Sequence, residues 1–171
     1  MTNSDRAREL FVTGLRNAHA LENQALQAME RQVDRIENYP DMAAQLRKHI
    51  QETQTQKQRL DTILQGLGES TSTIKDMAMG IMGNMAAMGH AVAEDEVLKN
   101  TFANSAIEAF EIASYKSLIA MAQAAGQQAA VAPLRASLSE EENMQRWIDQ
   151  NVEKVTMTFL SLERQGASGG R

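Results

Sequence analysis

The stretch NSAIEAFEIASYKSLIAMAQAAG, from Asn104 to Gly126, gives the main evidence for the fold. It is rich in alanine and isoleucine, contains no proline and ends at a glycine, which is typical of a long helix with a glycine stop. Two glutamates three residues apart, Glu108 and Glu111, lie on the face of this helix that is otherwise best suited to packing. Acids on such a face must protonate, pair with bases or bind cations.

The length and composition predict one helical domain. The chain has 171 residues, which is enough for a single sizeable core. Alanine, leucine, methionine, glutamine and glutamate are abundant, proline occurs twice, and no window of strand length alternates apolar and polar residues. We therefore predict an all-α fold, with one domain over residues 1–165 and a disordered tail over residues 166–171.

The composition also argues against several classes of function. The absence of cysteine excludes a disulfide framework and a thiolate metal site, and it agrees with a reducing compartment. The charged start of the chain and the lack of any apolar run of about 18 residues argue against a secretion signal and a membrane span. A net charge of -5 with 4% aromatic residues argues against nucleic acid as a partner. We expect a soluble cytoplasmic protein that binds neither nucleic acid nor membrane.

The hydrophobic periodicity predicts four long helices. Their predicted positions are from near Ser4 to near Pro40, from near Asp41 to the glycines of GLGES, from about Glu94 to Ala125, and from Pro133 to the start of the tail, with GQQAAVA as a loop or a kinked start of the fourth helix. A methionine-rich segment within residues 74–92 predicts a shorter crossover helix between the second and third helices. Such a crossover lets these two helices run in the same direction, so the pattern matches a ferritin-like four-helix bundle.

Every long helix has an acid near its middle. These acids are Glu22, Glu52, Glu108 with Glu111, and Glu140 or Glu141. We expect no lysine or arginine at their level, because Lys57 and Lys116 fall one to two turns away. Since ionised acids without partners cost several kcal/mol each in an apolar interior, a pair of divalent cations is the natural counter-charge. Oxygen-rich ligation suits Fe, Mn or Mg better than Zn or Cu.

The pattern leaves some assignments open. The heptad phase of the fourth helix favours Glu141, whereas aligning Ile148 with Leu60 of the second helix favours Glu140. His49 lies on the face of Glu52, and we expect it to support the site by hydrogen-bonding a liganding glutamate; direct metal binding and an ordinary histidine at the edge of the core are the alternatives.

Two aromatic side chains also have open roles. Tyr115, one turn beyond Glu111, could hydrogen-bond a carboxylate of the site or simply pack in the core. Trp147 lies off the heptad seam of the fourth helix. An apolar ring at such a position is typical of an interface, so we expect a homodimer.

At these residues the chain resembles the YciF/YciE-type stress-induced ferritin-like proteins of bacteria. HIQETQTQKQRLDTILQGLG, residues 49–68, resembles the family pattern His-Leu-x-Glu-Thr-x-x-Gln-Val-x-Arg-Leu that ends in Leu-Gly. IEAFEIASY, residues 107–115, resembles Val-Glu-His-Tyr-Glu-Ile-Ala-x-Tyr. HALENQAL in the first helix and LSEEEN in the fourth resemble the corresponding elements of the family.

The resemblance implies a rubrerythrin-like di-iron carboxylate bundle that serves the bacterial stress response and activates O2 or peroxide. Two Fe ions, or Mn in their place, would bind Glu22, Glu52, Glu108, Glu111 and one of Glu140 and Glu141. Thr55 and either Asn143 or Met144 stand where rubrerythrin-like relatives have histidine, so few nitrogen ligands are expected. The alternative is a non-catalytic structural or interaction protein whose metal site is degenerate or only stabilises the bundle.

Overall fold

The computed structural model describes residues 3–70, 94–167 and 169–170 of the chain. Within these residues the chain forms four long helices and no strand. The helices are α1 (Asn3–Val33), α2 (Pro40–Gly66), α3 (Glu96–Ala124) and α4 (Gln128–Arg164). The predicted all-α bundle of four long helices is confirmed, and the predicted crossover helix lies outside the described residues.

Helix α1 packs against both α2 and α3, and α4 packs against the same two helices. Contacts at the two ends of α1 show in which direction its two neighbours run. Arg8, in the first part of α1, donates a hydrogen bond of 2.7 Å to the carbonyl oxygen of Leu67, just beyond the end of α2. Arg35, just beyond the end of α1, pairs with Glu96 at the start of α3 at 2.6 Å. Helix α1 is therefore antiparallel to both neighbours, and α2 and α3 run in the same direction, as predicted.

Proline and glycine set most of the helix boundaries. Pro40 occupies the first turn of α2, where its missing N–H is not needed. Gly126 has φ of 69°, in the left-handed region that favours glycine, and it separates α3 from α4. The helix begins at Gln128, so most of GQQAAVA forms the start of α4, which was one of the two predicted possibilities, and Pro133 lies beyond the first turn in which we expected it. Burial of Ala130 and Val131 in the core offsets the hydrogen bond that proline removes.

Two hydrophobic clusters fill the interior of the bundle, one towards each end. The first contains Phe11, Val12, Leu15, Ala18, Leu60, Leu64, Tyr115, Leu118, Ala122, Ala130, Val131 and Leu134. The second contains Ala25, Met29, Val33, Tyr39, Met42, Ala43, Leu46, Val97, Met144, Ile148 and Val155. In each helix, buried polar residues lie between the positions that belong to the two clusters. These residues are Glu22, His49, Thr53, Gln56, Glu108, Glu111, Ser137 and Glu141. The apolar core is thus interrupted by a polar layer halfway along the bundle.

The described part of the tail contacts the bundle. The hydroxyl of Tyr39 donates a hydrogen bond to the carbonyl oxygen of Gly169, and the backbone N–H of Gly169 donates to Glu163 at 2.9 Å. The division into a bundle domain over residues 1–165 and a disordered tail stays a prediction. In the part of the chain that the structure describes, no helix combines the length and the apolar character needed to cross a membrane.

Candidate metal centre

The polar layer consists of acids from α1, α3 and α4 and a histidine from α2. Glu22 comes from α1, His49 from α2, Glu108 and Glu111 from α3, and Glu141 from α4, and each is at most 2% exposed. On α3 the buried positions advance by four and three residues in turn, which places both of its acids on the inward face. The location of these groups therefore follows from the same periodicity that buries leucines elsewhere.

His49 lies between two of the acids. Its Nε2 atom is 3.4 Å from Oε1 of Glu108 and 3.4 Å from Oε2 of Glu141. One ligand atom from each of these three side chains lies within 4.8 Å of the other two. The other ring nitrogen, Nδ1, is 3.2 Å from Oε2 of Glu52, which also pairs with Lys48 at the surface at 3.0 Å. Glu52 therefore orients the imidazole, and His49, Glu108 and Glu141 form a pre-arranged group.

Glu22, Glu111 and Tyr115 form the other half of the layer. The hydroxyl of Tyr115, which is 1% exposed, donates a hydrogen bond to Oε1 of Glu22. The other oxygen of Glu22 and Oε1 of Glu111 have no hydrogen-bond partner among the described residues. This half contains oxygen donors and no histidine.

The layer leaves five buried carboxylate oxygens without a hydrogen-bond partner in the described part of the chain. They are Oε2 of Glu22, Oε2 of Glu108, Oε1 of Glu111 and both oxygens of Glu141. A buried acceptor without a partner costs about 1–3 kcal/mol, and an ionised one costs more. Oxygen donors with one imidazole suit iron or manganese. The residues present therefore fit the di-metal centre that the sequence predicts.

Burial changes the protonation of the layer. Burial and the neighbouring charge of Glu141 raise the pKa of Glu22 well above its usual value, and burial with the charges of Glu22 and Glu141 does the same for Glu111. Burial also raises the pKa of Glu108, to about 8, although the nearby His49 opposes this change. Without a cation, protons therefore provide part of the charge balance.

The pKa of His49 is set by two opposed effects. Burial favours the neutral imidazole and would lower the pKa, but the nearby carboxylates of Glu108, Glu141 and Glu52 favour the charged form. The three carboxylates together outweigh the effect of burial, so the pKa of His49 lies well above its usual value. The metal-free layer thus holds a cationic imidazole between two acids.

The structure places Glu140 outside this group and Glu141 inside it. Arg59 of α2 donates to both oxygens of Glu140, at 2.6 and 2.9 Å, and the amide of Gln56 donates to it at 3.0 Å. The expectation that no lysine or arginine lies at the level of the acids was wrong, because Arg59 reaches Glu140 and also contacts Ser137. The sequence contains a pattern that predicts a base near these acids, since Arg59 follows Glu52 by seven residues, or two helical turns, and therefore lies on the same face of α2.

A cleft between α2 and α4 runs beside this ion pair. Its volume is about 460 Å³, and Arg59 lines it together with Thr55, Ile63, Gln127 and Pro133. The cleft brings solvent-accessible space to the outer side of the polar layer.

Comparisons with known proteins place this geometry in a family. The family model described as "Domain of unknown function (DUF892)" matches residues 6–161. A crystal structure of a protein from Xanthomonas campestris pv. campestris is 29% identical, covers 93% of this chain and 99% of that chain, and superposes with a TM-score of 0.79. YcfI from Rhodopseudomonas palustris, described as a candidate structural protein, is 27% identical over 84% of this chain and 92% of that chain, with a TM-score of 0.65.

The E. coli stress protein YciF shares the fold. It is 22% identical over 85% of this chain and 94% of that chain, with a TM-score of 0.69. At this identity the likeness shows the fold alone. Together with the family match, it confirms the predicted resemblance to YciF-type proteins.

Proposed function

The chain belongs to the DUF892 family, and on that premise we propose that it is a ferritin-like di-metal carboxylate protein of the bacterial stress response, with iron as the metal. Manganese is the second choice, because it has the same preference for oxygen and imidazole ligands. The relationship to a stress protein of the same fold supports the biological setting.

The observation that carries this proposal is the set of five buried carboxylate oxygens without hydrogen-bond partners in the described residues. They come from all three helices that supply acids to the layer, so no single local irregularity of one helix accounts for them. A purely structural core would have to keep these acids buried at a cost in stability. Bound cations convert the same groups into ligands.

Each side chain of the layer has a role in this proposal. His49, Glu108 and Glu141 would hold one ion, and Glu22 and Glu111 would hold the other. Glu52 orients His49 through its Nδ1 atom. The hydrophobic clusters on both sides keep bulk water away from the layer. When bound, iron supplies one-electron chemistry toward O2 or peroxide.

Anaerobic titration with Fe(II), followed by metal analysis of the desalted protein, tests the proposal. We expect about two metal ions per chain, and optical bands of an oxo-bridged pair after exposure to oxygen. Glu141→Gln should reduce the metal content strongly. Glu140→Gln is the matched control, because the adjacent residue on the same helix pairs with Arg59 and should leave the metal content unchanged. Absence of bound metal in the wild-type protein would contradict the proposal.

The second candidate function is a non-catalytic structural or interaction protein, which the description of YcfI favours. In that case the layer is degenerate or only stabilises the bundle. Variants such as Glu108→Ala would then change thermal stability, and the protein purified without chelator would contain no stoichiometric metal. The same metal analysis therefore separates the two functions.

We also propose that the protein forms a homodimer through the outer face of α3. Phe102 and Phe110 are 55% and 52% exposed on this helix. From residue 100 to 124, Lys116 is the single charged side chain besides the buried acids.

Beside Phe110 runs a groove of about 370 Å³ lined by small residues that include Gly14 and Ser117. A protruding ring next to such a groove is suited to a self-complementary contact between two copies. Trp147 is half-buried and packs against the second hydrophobic cluster, so the proposal rests on α3.

A further inference from the structure

The two halves of the polar layer differ in how completely their ligand atoms are assembled. In the first half, ligand atoms of His49, Glu108 and Glu141 already lie within 4.8 Å of one another. No other group of three such residues with this spacing occurs in the part of the chain that the structure describes. Once the imidazole of His49 releases its proton, the first half can therefore accept a cation with little movement of its side chains, and pre-organised donors bind more tightly.

The second half is closed by a hydrogen bond. The hydroxyl of Tyr115 donates to Oε1 of Glu22, and both side chains are 1% exposed. This donor satisfies one oxygen of a buried carboxyl group, whose other oxygen has no hydrogen-bond partner among the described residues. A cation that uses both oxygens of Glu22 must first displace this hydroxyl.

We propose that the layer binds two divalent cations unequally, the first at His49, Glu108 and Glu141, and the second at Glu22 and Glu111 only after Glu22 gives up the hydrogen bond from Tyr115. Tyr115 is a positioning residue that holds Glu22 in the one-metal arrangement. This inference rests on the proposed function, because it concerns the same site. It adds an order of loading and a side chain that controls the second step.

Titration of the metal-free, full-length protein with Mn(II), followed by calorimetry and electron paramagnetic resonance, tests the inference. Manganese is used because it stays divalent in air-saturated buffer and gives a different signal as a single ion and as a coupled pair. For the wild-type protein we expect two steps, with the second at least about tenfold weaker than the first. The isolated-ion signal should dominate at one equivalent.

Four variants separate the two steps. Tyr115→Phe should strengthen the second step about tenfold and leave the first unchanged, because it removes the competing donor. Glu22→Gln should abolish the second step and keep the first, whereas Glu141→Gln should weaken the first. Tyr39→Phe is the matched control, since it removes another buried tyrosine hydroxyl, which bonds Gly169 away from the layer.

The outcomes distinguish this inference from the proposed function. Two equal steps in the wild-type protein, or no change of the second step in Tyr115→Phe, would overturn the inference and leave a di-metal protein. If circular dichroism shows that Tyr115→Phe does not fold, Glu22→Gln provides the test. Loss of both Mn(II) binding steps in that variant would contradict the inference that the two halves bind cations unequally. Absence of any Mn(II) or Fe(II) binding would overturn both.

Discussion

At the scale of single residues, the same side chain has opposite consequences at neighbouring positions of α4. Glu140 accepts hydrogen bonds from Arg59 and Gln56 and needs no further partner. Glu141, one residue later, is fully buried, and neither of its oxygens accepts a hydrogen bond from the residues that the structure describes. A rotation of 100° about the helix axis separates a structural ion pair from a candidate metal ligand.

The protonation of the layer predicts how the stability of the metal-free protein depends on pH. Both Glu108 and His49 bind protons more tightly in the folded chain than in the unfolded chain. The stability that they contribute is fully present below their ordinary pKa values of 4.5 and 6.5. It is lost as pH rises through their folded values, which is about 8 for Glu108. The pKa of Glu52 is lowered by its hydrogen bond to His49, and this group acts only at acidic pH.

We therefore expect the melting temperature in chelator to be lower at pH 9 than at pH 6. A loss of about 1–2 kcal/mol corresponds to roughly 4 °C for a chain of this size. Glu108→Gln should flatten the dependence, because it replaces the titrating acid by a neutral amide. Glu153→Gln, a change of an exposed glutamate on α4, should keep the wild-type slope. A melting temperature that rises from pH 6 to pH 9 would contradict the assignment.

At the scale of the helices, two of the ion pairs that join α2 and α4 lie in different surroundings. Arg59 binds Glu140 with its two terminal guanidinium nitrogens, and the side chains of Arg59 and Glu140 are 25% and 21% exposed. Lys154 pairs with Asp41 at 2.6 Å, but their side chains are 65% and 70% exposed. Solvent and salt screen the second pair much more than the first.

We expect Arg59→Gln to destabilise the bundle by about 1.5–3 kcal/mol, because it leaves a half-buried carboxylate with fewer donors. Lys154→Gln, which breaks the exposed pair between the same two helices, should change the free energy of unfolding by less than about 1 kcal/mol. Urea denaturation of metal-free protein at neutral pH measures both changes. Equal effects of the two substitutions would show that burial of the Arg59 pair contributes nothing.

At the scale of the whole molecule, a polar layer divides the core into two hydrophobic clusters. This division places the candidate site where all four helices meet and where solvent is excluded. The outer surface is divided as well, since α3 presents aromatic side chains where other helices present charges. The interior thus suits a cation site, and one face suits a contact between copies.

The proposed dimer is tested by sedimentation velocity. Phe110→Glu places a charge at the centre of the α3 face, so we expect it to shift the protein from dimer to monomer. Leu160→Glu, a change of an exposed leucine on α4, is the matched control and should leave the dimer intact. A wild-type protein that sediments as a monomer at micromolar concentration would contradict the proposal.

The sequence by itself determined the helical class, the number of long helices and the placement of an acid near the middle of each one. These features depend on periodicity, proline and glycine, which act within a single helix and can be recognised without its neighbours. The sequence left open whether residues 126–132 form a loop or the start of α4, for a related reason. The sequence shows that Pro133 removes a backbone hydrogen bond from the helix. The burial of Ala130 and Val131 that compensates for this loss exists only in the packed bundle.

Only the tertiary structure decided which acids share one environment. Glu140 and Glu141 are equivalent in composition, and the choice between them depends on the arginine that α2 presents across the interface. Likewise, His49 follows the spacing of its own helix, but its place between Glu108 and Glu141 depends on how α3 and α4 approach. Contacts between helices fix rotation and depth to within a few ångströms, and no pattern within one helix contains that information.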